Sequence, residues 1–563
     1  MKCVPRTVEL LCALLLFAHA VVAQATTWMV TTSGEPAALD TNDCSGSSCG
    51  TLRGAINAAA PGDTIIFDAK LDGATISLAL YTNCLSWNDT LSPTCLPRYA
   101  EWHSIGVTSV TQFGPSAFYI SRSNALTIDA TANGLIHGVT IARNASMGTA
   151  NFRLFDVGLG ASLTLKGLRL SGGAAVGGAG AAGGGGALGA GGAIFSQGNL
   201  QLTRCTLDGN TAQGGSSGAV RGFGGGGGGV GSSGDYSGLG GGPNGGSPGT
   251  FGSTGFGGGG VGPAGFGDFG GGGGGAQASS DGPAGGGGGF GGGGGGSGAG
   301  GGVGGFGGGS GGVSDGGSGG GMGGALFNDA GSMTLSNVTL TNNKALGGAD
   351  NGGEGFGGAV FNYAGTLTLD QVTMTANSVA NGAADGSGIY SVGDGNCTHE
   401  EEAMCEIGGA ATLALSRSIV SGNTGGNNDI VVDLINNSSG SSARGDGNVI
   451  GAATPKGTAA NDLTNSVIGA VNLGAFNSGG SGLDAIIIPG AGSAAIDAVV
   501  CGSTTIDQRG VARPQGARCD IGAVEVAFAV VQPAVPAPGL NRCALFLLGG
   551  LMIASLLRSH RSR

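Results

Sequence analysis

Short stretches in which apolar and polar residues alternate recur along this chain, each bracketed by glycine and asparagine. One unit begins Gly191-Gly192-Ala193-Ile194-Phe195, continues through Leu200-Gln201-Leu202 and Cys205-Thr206-Leu207, and ends at Asn210. The pattern returns from Gly323-Gly324-Ala325-Leu326-Phe327 to Asn343, and from Gly357-Gly358-Ala359-Val360-Phe361 to Asn377. A degenerate copy runs from Gly388-Ile389-Tyr390 to Asn423. Alternation with period two marks strands buried on one face. A unit this small cannot bury its apolar face alone, so successive units must stack. No helical period separates the strands. The pattern therefore predicts an all-β fold, a right-handed parallel β-helix with coils beginning near residue 120. The repeated Gly-Gly suits a turn that needs positive φ. Asn210, Asn343, Asn377 and Asn423 are expected to align as a hydrogen-bonded ladder, because asparagine tolerates left-handed turns and can reach the next coil's backbone.

Residues 213–322 interrupt the repeats with a glycine-dominated run punctuated by Phe223, Phe251, Phe256, Phe266, Phe269, Phe290 and Phe306. So long a segment must leave the stack as one excursion between two turns. Composition favours a disordered, weakly adhesive tract; the competing structure is a bundle of polyglycine helices with polyproline-like geometry. The expected organisation is then 1–25 leader, 26–119 N-terminal cap and first strands, 120–212 coils, 213–322 insertion, 323–484 coils, 485–526 closing region, 527–542 proline-rich linker and 543–563 apolar segment with a basic end.

The chain has 563 residues, 130 of them glycine, and only 10% are charged, which signals a repetitive protein. Its formal charge is −12, and both ends are basic, so the body between them is more acidic still. Such a body repels phosphate backbones, which argues against nucleic acid as a partner. Lys2 and Arg6 before an apolar run ending near Ala23 have the form of a secretory signal, with a membrane anchor as the alternative. Export and close spacing predict disulfides Cys44–Cys49, Cys84–Cys95, Cys397–Cys405 and Cys501–Cys519, with Cys205 a buried thiol. Zinc fits poorly, since five histidines and no C-x-x-C are present.

Three resemblances accompany this pattern. The run from Ser48-Cys49-Gly50-Thr51-Leu52-Arg53 to Asp63-Thr64-Ile65-Ile66-Phe67 resembles the CSLREA region of secreted bacterial β-helix proteins, where a short helix caps the first coil. The Gly-Gly-Ala units resemble polymorphic outer-membrane-protein repeats, which are associated with cell-surface β-helices. The stretch Ala495-Ile496-Asp497, Asp507-Gln508-Arg509-Gly510, Arg513-Pro514 and Asp520-Ile521-Gly522-Ala523-Val524-Glu525 resembles the choice-of-anchor Q domain, a region that closes such helices before a variable sorting tail. The tail here, Val535-Pro536-Ala537-Pro538 followed by Cys543–Leu557 and terminal arginines, is similar to PEP-CTERM and IPTL-CTERM signals. Fifteen helical residues would span about 22 Å against a membrane core of about 30 Å, which suits transient engagement and a processing protease better than a permanent anchor. These resemblances imply export to the cell surface, outer membrane or extracellular space.

Catalytic patterns are sparse. Asp208 and Asp370 stand alone on repeat strands, and Glu400-Glu401-Glu402 forms an acidic run between two cysteines. Asp497, Asp507, Arg509, Arg513, Asp520 and Glu525 are expected to form an ion-pair network that fixes the final coils. The single Gly-Gly-x-Gly-x-Asp at 479–484 lacks the tandem copies that a calcium site needs, so no cofactor or metal is expected. The expected role is a structural or adhesive surface rod, non-catalytic, with an unknown glycan or protein partner. The alternative is a carbohydrate-binding or polysaccharide-cleaving β-helix, which would gather three or more carboxylates with Lys or Arg in one groove.

Overall fold

The computed structural model describes residues 25–526 except 37–41, 81–113, 122–123, 147–148, 222–223, 232, 237–239, 242–264, 268, 396–408, 437, 439, 456–459, 464–465 and 469–470. Cys84, Cys95, Cys397, Cys405, the acidic run between the latter two, the leader and the whole tail lie outside these residues. Among those described, no helix is long and apolar enough to cross a membrane.

The chain winds into a parallel β-solenoid. Each coil contributes one strand to each of three long sheets, so neighbours in a sheet are distant in sequence. Sheet 1 has twelve strands, sheet 2 nine and sheet 3 eight. In the coil around Gly191, sheet 3 holds Ile194–Ser196, sheet 1 holds Asn199–Thr203 and sheet 2 holds Thr206–Asp208. The register does not slip across the insertion: Leu200, Met333 and Leu367 are aligned, as are Leu202, Leu335 and Leu369. These leucines and the methionine are buried in one continuous core. Coils begin earlier than expected, since Thr64–Phe67, Thr75–Leu78 and Ser116–Ile120 already occupy sheets 1, 2 and 3.

The N-terminal end is covered by the helix Leu52–Ala58, whose N-cap Thr51 accepts from the Gly54 amide at 3.1 Å. Leu52 and Ala55 face the core. Arg53 is buried, paired with Glu35 and donating to the Ala117 carbonyl at 2.8 Å, so it ties the cap to the first coil. Cys44–Cys49 links the short antiparallel hairpin beside it.

The corners explain the repeated residues. Gly191, Gly323 and Gly357 have φ of 60–66°. The second glycine is excluded from bearing a side chain by stacking, since a Cβ on Gly192 would sit 2.2 Å from the Gly324 carbonyl oxygen. Asn210, Asn343, Asn377 and Asn423 stand above one another. Each of the first three donates through its amide to the next Oδ1, at 2.9, 2.9 and 2.8 Å. Asp429 ends the ladder by accepting from Asn423 at 2.7 Å. The left-handed conformation falls on the preceding residue, Gly209, Asn342, Ala376 or Gly422, and not on the ladder asparagine. A second ladder, unforeseen in the sequence, runs from Asn328 to Asn362 to Ser391 at 2.7 and 2.9 Å.

Candidate interaction faces

The outward columns of the three sheets meet different fates, and this difference defines the candidate site.

Sheet 2 is crossed by the C-terminal segment. The closing region was expected to seal the final coils. Instead residues 471–526 form a strap along the outside of sheet 2, reaching coils from His137 to Val449. Its first part, 471–484, lies beyond the last coil strand, Val467–Ile468, and so does not belong to the coils. Thr206, Thr339 and Thr373 are aligned on the outward column and would ordinarily be solvated, yet all are buried. Thr206 donates to the Ala485 carbonyl at 2.6 Å and accepts from Gln508 Nε2 at 2.7 Å. Thr339 donates to Gln508 Oε1 at 2.7 Å, and Thr373 accepts from the Ala523 amide at 2.9 Å. Further along the column Ile419 and Val449 pack on Ala495, Val499 and Ile521. At the near end Arg169 grips Asp208 with two bonds of 2.7 and 2.9 Å and donates to the Ser478 and Gly480 carbonyls. Asp484, the acid of the calcium-like motif, pairs with His137.

Of the six charges expected to form an ion-pair network, four pair within this strap, Arg509 with Asp507 and Arg513 with Glu525, while Asp497 and Asp520 are held by backbone amides. Asp507 is fully buried and accepts from Arg509 Nε at 2.9 Å and from the Val511 and Glu525 amides. Arg513 donates to Glu525 Oε2 at 2.7 Å and to the Gly522 carbonyl at 2.8 Å. Asp520 accepts from the Asp497 amide at 2.8 Å, and Asp497 from the Arg518 amide. Burial pushes the Asp520 carboxyl above its ordinary range and the Arg513 guanidinium below its own. Cys501–Cys519 closes the loop that carries Asp507, Arg509 and Arg513. Arg513 also donates to Asn337 Oδ1 at 3.2 Å, which ties this group to the coils.

Sheet 3 is covered by the insertion. The disordered reading gives way, for the described residues, to an ordered glycine bundle. Successive glycines donate to different neighbouring runs: Gly272 to Gly228, Gly273 to Gly293 and Gly274 to Gly265, at 2.7–2.8 Å. Such bonding between runs with none inside them is what three-fold polyproline-type helices allow. A Cβ on Gly293 would sit 2.0 Å from the Gly317 carbonyl oxygen, so contact this close requires glycine. The chain reverses at Phe269-Gly270, Phe290-Gly291 and Phe306-Gly307, each glycine at positive φ. The three rings stack, with centroids 4.9 and 5.4 Å apart, on the outward column Phe195, Phe327, Phe361 and Tyr390. Rings in that column are themselves 5.1–5.6 Å apart. These phenylalanines are cover, whereas Phe266 remains exposed.

Beside this stack Asp329 is buried; it accepts from Gln197 at 2.9 Å, and burial pushes its carboxyl up to about 7. Burial, together with Asp433, raises the Tyr390 phenol, which donates to that carboxylate. Tyr363 likewise donates to Asp394 at 2.8 Å. Cys205 is a buried free thiol, pushed up to about 12 by desolvation.

Sheet 1 keeps an open outward surface. One column is Thr64, Thr127, Thr164, Gln201, Thr334 and Thr368; a second is Ser162, Asn199, Ser332, Thr366, Thr412 and Ser442. All are exposed or half-buried. Two acids beside them are paired, Asp129 with Lys166 at 3.3 Å and Asp370 with Arg417 at 2.6 Å, and the first column ends at Arg444 and Asp462. Among the described residues no group of three His, Cys, Asp or Glu is placed to hold a metal. The sequence shows each threonine, but only the register shows that they align. Comparison with protein-family models, curated proteins and solved structures gives no match for this chain.

Proposed function

We propose that this is an exported, non-catalytic surface rod whose contact face is sheet 1. One observation carries the reading. Two of the three outward faces are occupied by the chain's own strap and glycine bundle, while the third presents polar columns with paired charges. A lyase or hydrolase needs free acids and bases in a groove. On sheet 1 the acids Asp129 and Asp370 are each held by a cation. Export draws support from the leader-like start, from two disulfides and from the resemblance to secreted β-helix proteins. The 543–563 segment would hold the rod at the membrane until a processing protease releases it to the outer surface.

Beads coated with the full chain test the role against envelope and matrix preparations of the producing cells. Adhesion is expected, and Thr164→Arg with Thr334→Arg should abolish it. Undiminished adhesion by that variant would remove sheet 1 as the contact face.

A further inference from the structure

The chemistry of sheet 1 restricts what can lie on it. Its two columns run coil by coil with a repeat of about 4.8 Å and stand about 6.6 Å apart along each strand. Hydroxyls and amides fill the six positions named in each column, and neighbouring coils already exchange bonds there. Asn199 donates to Ser162 at 3.3 Å, and Thr412 to Thr366 at 3.2 Å. Threonine is stiff at χ1, so its hydroxyl is held in place before any ligand arrives. None of these twelve residues is an aromatic ring for stacking or a charge for ion pairing, and charge enters the first column only at its far end, where it continues through Ala414 to Arg444 and Asp462. Affinity can therefore come only from many similar weak contacts summed along the rod. The ligand must be periodic, extended and rich in hydroxyls. An anionic polymer would meet a chain of formal charge −12, and a cationic one would find Asp129 and Asp370 already paired, which favours an uncharged ligand.

Resting on the contact-face reading, we propose that sheet 1 binds a neutral linear polysaccharide laid along the solenoid axis. Hydroxyls of successive sugars meet the threonine column of successive coils.

The test is depletion of the full chain from solution by insoluble cellulose and chitin, with alginate gel and ice as the other arms. Binding to a neutral polymer is expected. The triple variant Thr164→Val, Thr334→Val, Thr368→Val keeps β-branched shape and loses three hydroxyls. It should bind about tenfold more weakly, the scale of one or two lost hydrogen bonds. The matching triple serine variant should retain binding, which separates hydroxyl loss from misfolding. Valine variants that bind as well as the parent would overturn the proposal, as would preference for alginate, or ice binding without polysaccharide binding. If no neutral polymer is bound but the arginine variant still abolishes bead adhesion, the ligand class falls and the contact face stands. If adhesion also survives the arginine variant, both fall.

Discussion

The strap on sheet 2 and the glycine bundle on sheet 3 cover the same scaffold by opposite means. The strap is held by side chains: threonine hydroxyls, arginine–carboxylate pairs and a disulfide. The bundle is held by backbone, and its glycines are excluded from carrying side chains by contacts near 2 Å. At three of its reversals it adds phenylalanines laid on a ladder of rings. One cover should therefore fail when atoms are removed, the other when atoms are added.

The sharpest break is at Arg513, whose side chain is buried against Glu525. Arg513→Ala leaves that carboxylate buried and unpaired, with an expected loss of about 3–5 kcal/mol. Hydrogen exchange should show lost protection in 495–526 and unchanged protection in the bundle. Next is Asp329, whose carboxyl is raised to about 7 when folded. The folded state holds the proton more tightly than the unfolded chain, whose ordinary value is about 3.9. Stability should thus fall as pH rises from about 4 to about 7, by about 2–4 kcal/mol, and level off above. Denaturant titrations at fixed pH check this, and Asp329→Asn should flatten the curve.

Adding one methyl at Gly293 should cost about 1–3 kcal/mol through overpacking. Exchange should quicken in the bundle, while the strap stays protected. The smallest effect runs the other way. Gln371 is fully buried at the corner between Asn337 and Arg417, and neither amide atom finds a partner. Gln371→Leu should stabilise the protein by about 1 kcal/mol, because two buried unpaired groups are removed; the denaturation midpoint measures it.

The solenoid itself was legible in the sequence because its signals repeat. Gly-Gly-Ala, the leucine pairs and the ladder asparagines recur together in the three coils that begin at Gly191, Gly323 and Gly357, so register and core follow from spacing there. Cys44–Cys49 and Cys501–Cys519 were legible from proximity. The covers were not, since they arise from single, non-repeating contacts. Thr206 and Thr339 look like ordinary outward strand residues, and nothing local says that Gln508 will lie between them. Two signals were available. Ile419 and Val449 put apolar residues on the column occupied elsewhere by threonine. Ile194-Phe195, Leu326-Phe327 and Val360-Phe361 place two apolar residues in succession, which marks a strand buried on both faces. The glycine run was misleading because low hydrophobicity usually prevents a core; here the core is supplied by sheet 3.

Thiol labelling of single cysteine variants of the full chain tests the division of faces most directly. Thr164→Cys and Thr368→Cys on sheet 1 are predicted to react quickly with a water-soluble maleimide. Thr206→Cys and Thr339→Cys beneath the strap should be protected until the protein is denatured. Equal rates at all four positions, or protection on sheet 1 alone, would contradict an open first face and a strapped second one.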